Sequence, residues 1–206
     1  MLSATDLYQI ELRAIAAFLI GAIPFAWLIV RVCKGIDVRT LGSGNVGATN
    51  ASRAFEGKGA RIGAFLAVYL LDAGKGALAA WMGFATGLLP GVLCGAAGIL
   101  GHVFTPFLGG RGGKGVATAT GALVVLDWRV TLIALGVFFV VRFATGQVFF
   151  GSLALGLGLA SSAILLDVPQ AFDQRLPLTL LTLVLAAFLF WTHRSNLQTF
   201  FAAKQS

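Results

Sequence analysis

The chain has 206 residues, of which 58% are hydrophobic and only 11% charged. A soluble globule carries about 25% charged residues, so a water-facing fold is excluded. Disorder, which needs low hydrophobicity, and a disulfide scaffold are excluded too, since Cys33 and Cys94 lie far apart in apolar sequence.

What remains is a polytopic membrane protein. A membrane helix takes roughly 17–25 predominantly apolar residues, and seven segments are candidates in chain order. They are Ala14 to Val30, ended by Arg31 and Lys34; Ile62 to Leu89, interrupted by Asp72 and Lys75; and Gly91 to Leu108, carrying His102. A short Gly115 to Leu126 follows, then Val130 to Gly146 and the uncharged Val148 to Leu166. Leu178 to Thr192 completes the set, between Pro177 and His193. The fold class expected is all-α, with about seven transmembrane helices in a single domain over 1–206, or five or six if the short segments are re-entrant. The first segment is too long for a signal-peptide core and its leader holds Asp6 and Glu11, so it reads as a retained span.

The net charge is +7, and where its lysines and arginines lie predicts orientation. With the N-terminus outside, the cytoplasmic loops hold Arg31, Lys34, Arg39, Arg53, Lys58, Arg61, Arg111, Lys114, Arg142, Arg194 and Lys204. Only Arg13, Arg129 and Arg175 fall on the other side, so lysine and arginine asymmetry predicts N-terminus out and C-terminus in. The external loops, Asp127–Arg129 and Asp167–Pro177, read as plain connectors.

Four places break the apolar pattern. In the loop Arg39 to Arg53, glycines at 42, 44 and 47 permit positive φ angles that turn backbone N–H groups toward one point. Ser43, Asn45, Thr49 and Asn50 add polar groups, and Arg53 adds a fork suited to phosphate oxygens. A plainer reading of the same stretch is a flexible loop with a helix N-cap at Thr49 or Asn50. The run Gly109-Gly-Arg-Gly-Gly-Lys-Gly115 opens a helix, where N–H groups and helix dipole favour an anion. It is not a nucleotide-binding P-loop, because Leu108 stands five before Gly113 and Gly115 follows the lysine where Ser or Thr is required. Asp72 and Lys75 can pair on one helix face inside the membrane, where charged residues face the protein interior. The fourth place is Thr192-His-Arg-Ser-Asn196, at the membrane exit of the last span. His102 reads as a buried histidine. Basic and polar groups with few opposing carboxylates suit a phosphate, and apolar helices around them suit a lipid tail.

The run Gly42-Ser-Gly-Asn-Val-Gly-Ala-Thr-Asn50 resembles the first signature of the membrane-integral, acyl-phosphate-dependent glycerol-3-phosphate acyltransferases, the PlsY family. Gly101-His102 with Phe104, Pro106, Phe107 and Gly112-Gly-Lys-Gly-Val-Ala-Thr118 is similar to the second, and His193-Arg-x-Asn196 to the third. Asp72-x-x-Lys75-Gly76 also matches. The resemblance implies acyl transfer from acyl-phosphate to the sn-1 hydroxyl of glycerol 3-phosphate, giving lysophosphatidic acid and phosphate. It implies a bacterial inner-membrane protein with a cytoplasm-facing site, no cofactor or metal, and no nucleic acid partner. A peripheral enzyme that makes acyl-phosphate is the expected partner, besides the two substrates and membrane lipid.

On this resemblance Ser43, Arg53, Lys114, His193 and Asn196 surround the two phosphates, with Asn45, Thr49 and Asn50 alongside. The backbone around Gly112, Gly113 and Gly115 cradles one phosphate, while Asp72, Lys75 and His102 support. His193 is the best protein base, but a substrate phosphate oxygen is the expected proton acceptor. The His-x4-Asp pair of the other glycerolipid acyltransferases is absent, since Phe107 and Gln198 stand five after the two histidines. Phe149 occupies a position where the family has a serine, with Ser152 nearby as its substitute, and Thr199 stands where an arginine is usual. The competing readings are a phosphate or phospholipid transporter, built on broken helices, and an inactive family member serving as scaffold.

Overall fold

A computed structural model describes residues 3–202 and packs the chain as two compact units, Met1–Val125 and Leu126–Ser206. The basic residue expected at Lys204 lies outside the described residues. The described residues form helices and loops without a strand, as the apolar segments predict.

The first unit begins with α1 (Ala4–Ala22) and α2 (Phe25–Lys34), two halves of one interrupted span. The helix starts well before Ala14 because Ser3 and Asp6 form a capping box. Ser3 Oγ accepts the Asp6 N–H at 3.1 Å, and the Asp6 carboxylate accepts the Ser3 N–H at 2.9 Å. The interruption falls at Ile23-Pro24, where proline has no N–H to continue the ladder. The polar loop beyond α2 contains α3 (Ala48–Ala51), whose N-cap is Gly47 rather than Thr49 or Asn50. Then come α4 (Lys58–Phe84), α5 (Leu88–Val103) and α6 (Val116–Leu126).

These helices pack through small residues, the usual device where lipid gives no hydrophobic drive between helices. A methyl group at Gly21 would collide with the Gly98 backbone, joining α1 to α5. Methyls at Gly76 and Gly121 would collide with the Thr118 and Ala73 carbonyls, joining α4 to α6. Val38, Val46 and Ala51 of the polar loop are buried with Ala26, Val30 and Val68, so its apolar side chains root it on α2 and α4.

The second unit holds α7 (Trp128–Thr145), α8 (Val148–Leu165), the short α9 (Val168–Ala171), α10 (Leu176–Thr192) and α11 (Arg194–Ala202). Its connectors are not plain. Asp127 caps α7 through the Arg129 N–H at 2.9 Å and binds the Arg175 guanidinium at 2.5 Å and that of Arg129 at 3.1 Å. Burial acts upward on the Asp127 carboxyl, but these Arg129 bonds and its charge hold it below the ordinary carboxylate range. The two loops expected to be simple are thus clasped together by a half-buried charge cluster, which the spacing of Asp127 and Arg175 could not reveal.

Among the described residues five helices are long and apolar enough to cross a membrane, or six if α10 and α11, bent by 45°, count as one span. The short fourth candidate, α6, has only 11 residues, about 16 Å at 1.5 Å per residue, and cannot cross a bilayer core of about 30 Å.

Candidate active site

The first unit assembles two of the polar segments. In the 39–53 loop, Gly42 and Gly44 take positive φ angles of 45° and 69°, as expected, whereas Gly47 is extended. The organiser of the loop is Asn50, buried at 2% exposure. Its amide nitrogen donates to the Val38 and Asn45 carbonyls at 2.9 and 3.0 Å. Its Oδ1 accepts from the Ser43 N–H and Arg53 Nη1, both at 3.3 Å. An amide used at both ends has little left for a ligand, so Asn50 holds the loop rather than lining its mouth. Arg53 lies across Gly42, where a methyl group would strike its Nη1, and this close passage needs glycine at 42. Ser43, Thr49 and Arg53 are exposed, and Asn45 is half-buried. Arg39 turns away to pair with Asp37 at 2.7 Å, which holds that carboxyl well below the usual carboxylate range.

The glycine-rich run departs from the expected cradle. The N–H groups of Gly109, Gly110, Arg111, Gly112 and Gly113 all donate to carbonyls between His102 and Leu108. They fold the run back on the end of α5 and are not aimed at a ligand. A methyl at Gly112 would strike the His102 carbonyl, and one at Gly113 would strike His102 Nε2, so these glycines serve close approach. Directly after Gly115 the helix α6 opens at Val116, and the first turn of a helix carries N–H groups that have no partner within the helix. Lys114 is half-buried at that turn, and burial pushes its ammonium down to about 8.

Behind the run stand the buried ionisable residues. Asp72, Lys75 and His102 are exposed by 2%, 4% and 6% respectively. Asp72 Oδ1 lies 2.8 Å from Lys75 Nζ and 3.6 Å from His102 Nδ1. Lys75 Nζ also donates to the Ile23 carbonyl at 2.6 Å and sits 5.5 Å from the Phe25 ring centroid. Thr105, which sequence reasoning passed over, donates its hydroxyl to the Ala22 carbonyl at 2.6 Å. Its signal was faint, one threonine inside the second motif.

The second unit carries the remaining candidates. His193 caps α10, 4% exposed, with Nδ1 on the Leu189 carbonyl at 2.9 Å. A carbonyl only accepts, so Nδ1 carries the proton and the lone pair of the neutral ring is on Nε2. Asn196 follows in the first turn of α11, its N–H on the His193 carbonyl at 2.9 Å. Ser152, the expected substitute for the missing serine, is 2% exposed with its hydroxyl on the Val148 carbonyl at 3.1 Å. It is a packing residue of α8. Phe149 and Phe150 instead form an aromatic cluster with Phe200 of α11, at centroid distances of 5.7 and 5.0 Å. Among the described residues no three His, Cys, Asp or Glu side chains gather as metal ligands.

A family model for glycerol-3-phosphate acyltransferase matches residues 12–203, nearly the whole chain. The chain belongs to this family. Glycerol-3-phosphate acyltransferase of Myxococcus xanthus is 41% identical over 186 residues, covering 87% of this chain and 90% of the relative. Glycerol-3-phosphate acyltransferase 1 of Deinococcus radiodurans is 38% identical over 193 residues, covering 91% and 89%. The fold is also that of a solved integral membrane acyltransferase of the family, PlsY. Its glycerol 3-phosphate form superposes with a TM-score of 0.82 at 29% identity, covering 94% of this chain and 92% of that one. Its lysophosphatidic acid form gives 0.79 at 28% identity with the same coverage. The integral membrane, multi-pass character read from composition is thus shared with a glycerol-3-phosphate acyltransferase of known structure.

Proposed function

We propose that this chain transfers a fatty acyl group from acyl-phosphate to the sn-1 hydroxyl of glycerol 3-phosphate, at the cytoplasmic face of a bacterial inner membrane. The observation that carries the reading is the cluster of basic and polar groups held in the loops of the first unit. Exposed Ser43 and Arg53 are fixed by buried Asn50, and half-buried Lys114 stands at the opening of α6. The structural likeness to an enzyme with a glycerol 3-phosphate form and a lysophosphatidic acid form supports the same substrate and product here.

The chemistry asks little of the protein beyond placement and charge. The sn-1 hydroxyl oxygen bonds to the acyl carbon, the bond from that carbon to the phosphate oxygen breaks, and phosphate departs. The hydroxyl proton passes to a phosphate oxygen, so no side chain has to act as base. Both reactants carry phosphate and repel one another, and Arg53 and Lys114 offset that repulsion in a setting drier than water. Oriented binding of two such reactants, together with donors for the developing charge, supplies most of the acceleration. The bacterial relatives support the membrane assignment, and a peripheral enzyme that makes acyl-phosphate would supply the donor.

Purified protein in detergent, given glycerol 3-phosphate with acyl-phosphate or acyl-CoA, tests the reading. Lysophosphatidic acid is expected with acyl-phosphate alone, and Lys114→Ala is expected to lower turnover by at least a hundredfold. Product from acyl-CoA only would reassign the donor, and product from neither would overturn the acyltransferase reading.

A further inference from the structure

The charges Asp72 and Lys75 are buried on α4, where the membrane makes them costly to keep. Their contacts explain the cost at two ends. At one end is the break in the first span. Pro24 ends the hydrogen-bond ladder of α1, leaving the negative end of a helix dipole at membrane depth. The Ile23 carbonyl receives Lys75 Nζ, and the Ala22 carbonyl receives the Thr105 hydroxyl, both at 2.6 Å. At the other end is His102. Its Nδ1 faces Asp72, and its Nε2 edge lies directly against Gly113, where no side chain fits. The Gly113 N–H donates to the His102 carbonyl at 3.2 Å, and the Gly112 N–H to the Val103 carbonyl at 3.0 Å. Lys114 is the next residue.

We propose that Lys75, Asp72 and His102 form a buried polar column, seated on the broken first span, that positions the Gly112–Gly113–Lys114 run for phosphate binding. They are positioning residues: none has to touch substrate, and each acts through the next. The column also explains Gly113 in physical terms, because the imidazole ring occupies the space a Cβ would need. Lys75 is held by a carboxylate, a carbonyl and the face of Phe25, and this fixes Asp72 in turn. His102 then has one ring edge on a fixed carboxylate and the other on the run, which leaves the run a single position. The inference rests on the acyltransferase reading only for the role of Lys114, not for the column itself.

The test compares Asp72→Asn, His102→Asn and Thr105→Val in the full chain. Thr105→Val removes the cap on Ala22 but leaves the column, so it serves as the measure of simple destabilisation. Two readouts are needed: hydrogen exchange of the segment 109–115, and KM against kcat for glycerol 3-phosphate. Asp72→Asn is expected to speed exchange at 110–113 at least tenfold and to raise KM at least tenfold, with kcat changed less than threefold. His102→Asn, whose amide can still reach toward Asp72, is expected to lie between it and the wild type. Thr105→Val is expected to lower the thermal midpoint while leaving both exchange of the segment and KM near wild type. If Asp72→Asn does not fold, His102→Asn against Thr105→Val decides alone. Exchange at 109–115 that is unchanged in the column variants, or changed equally by Thr105→Val, would overturn the proposal. Because exchange needs no turnover, it decides the column even if the wild type forms no lysophosphatidic acid, an outcome that counts against the enzyme reading alone.

Discussion

Lys114 combines a half-buried ammonium with the start of a helix, and both bear on its protonation. Burial lowers its pKa to about 8 because the charged form loses hydration. Below pH 8 the cation is present to hold a phosphate; above it the neutral amine is not. If Lys114 binds an anion, kcat/KM for glycerol 3-phosphate is expected to fall about tenfold per pH unit beyond pH 8, since that ratio reports the free enzyme. Were deprotonation of a general base limiting instead, the ratio would rise with pH, so the sign separates the two. Lys114→Arg keeps its charge past pH 12 and is expected to flatten the alkaline limb at a reduced absolute rate. An alkaline limb that stays at pH 8 in Lys114→Arg would detach it from this lysine.

Among the elements, α6 illustrates what sequence can and cannot disclose. Its apolar run and its short length are plain in the sequence, but its tie to α4 is not. Gly121 meets the Ala73 carbonyl with no room for a methyl, while Gly63 of α4 has open space around it. Gly121→Ala is expected to destabilise by about 1–3 kcal/mol through overpacking against a backbone that cannot yield. Gly63→Ala is expected to stabilise by about 0.4–1 kcal/mol, since it only restricts the unfolded chain. Thermal midpoints in one detergent check the pair, and equal shifts would sink the packing account. The motif loops were legible because their residue types are chemically odd in an apolar chain, and Ser43, Arg53 and Lys114 stood out. The folding of Gly109–Gly113 back onto α5 was not, because a glycine that frees an N–H and one that admits a histidine ring look alike in sequence. Asn50 and Ser152 misled for a related reason: a polar side chain declares its chemistry, while its partners depend on contacts such as Val38 to Asn50, twelve residues apart. The clasp of Asp127 and Arg175 is longer still in sequence and correspondingly silent.

For the whole molecule, the surplus of basic residues has two separate physical uses. Several of them are exposed at helix ends or in loops, as Lys58 at the start of α4 and Arg111 in the glycine-rich run are, and these suit the charge bias that sets topology. Arg53 and Lys114 are different: Arg53 donates to buried Asn50 across Gly42, and Lys114 is half-buried after two glycines packed against His102, features needless for topology alone. On the proposed reading the orientation follows from the many and the chemistry from the few, so the two can be tested apart. Native Cys33 is exposed at the end of α2 and Cys94 is buried, so a membrane-impermeant maleimide can report on the first alone. With the N-terminus outside, Cys33 is expected to react in inverted vesicles and to be protected in intact cells. A cysteine placed at exposed Arg129, in a Cys33→Ser background, is expected to show the reverse. Replacing Arg31, Lys34, Lys58 and Arg61 together by glutamine weakens the bias and is expected to produce mixed labelling. Replacing Lys114 alone by glutamine is expected to leave labelling unchanged while abolishing phosphate binding. Labelling of Cys33 from the outside of intact wild-type cells would reverse the orientation and place the proposed phosphate site on the wrong face for a cytoplasmic donor.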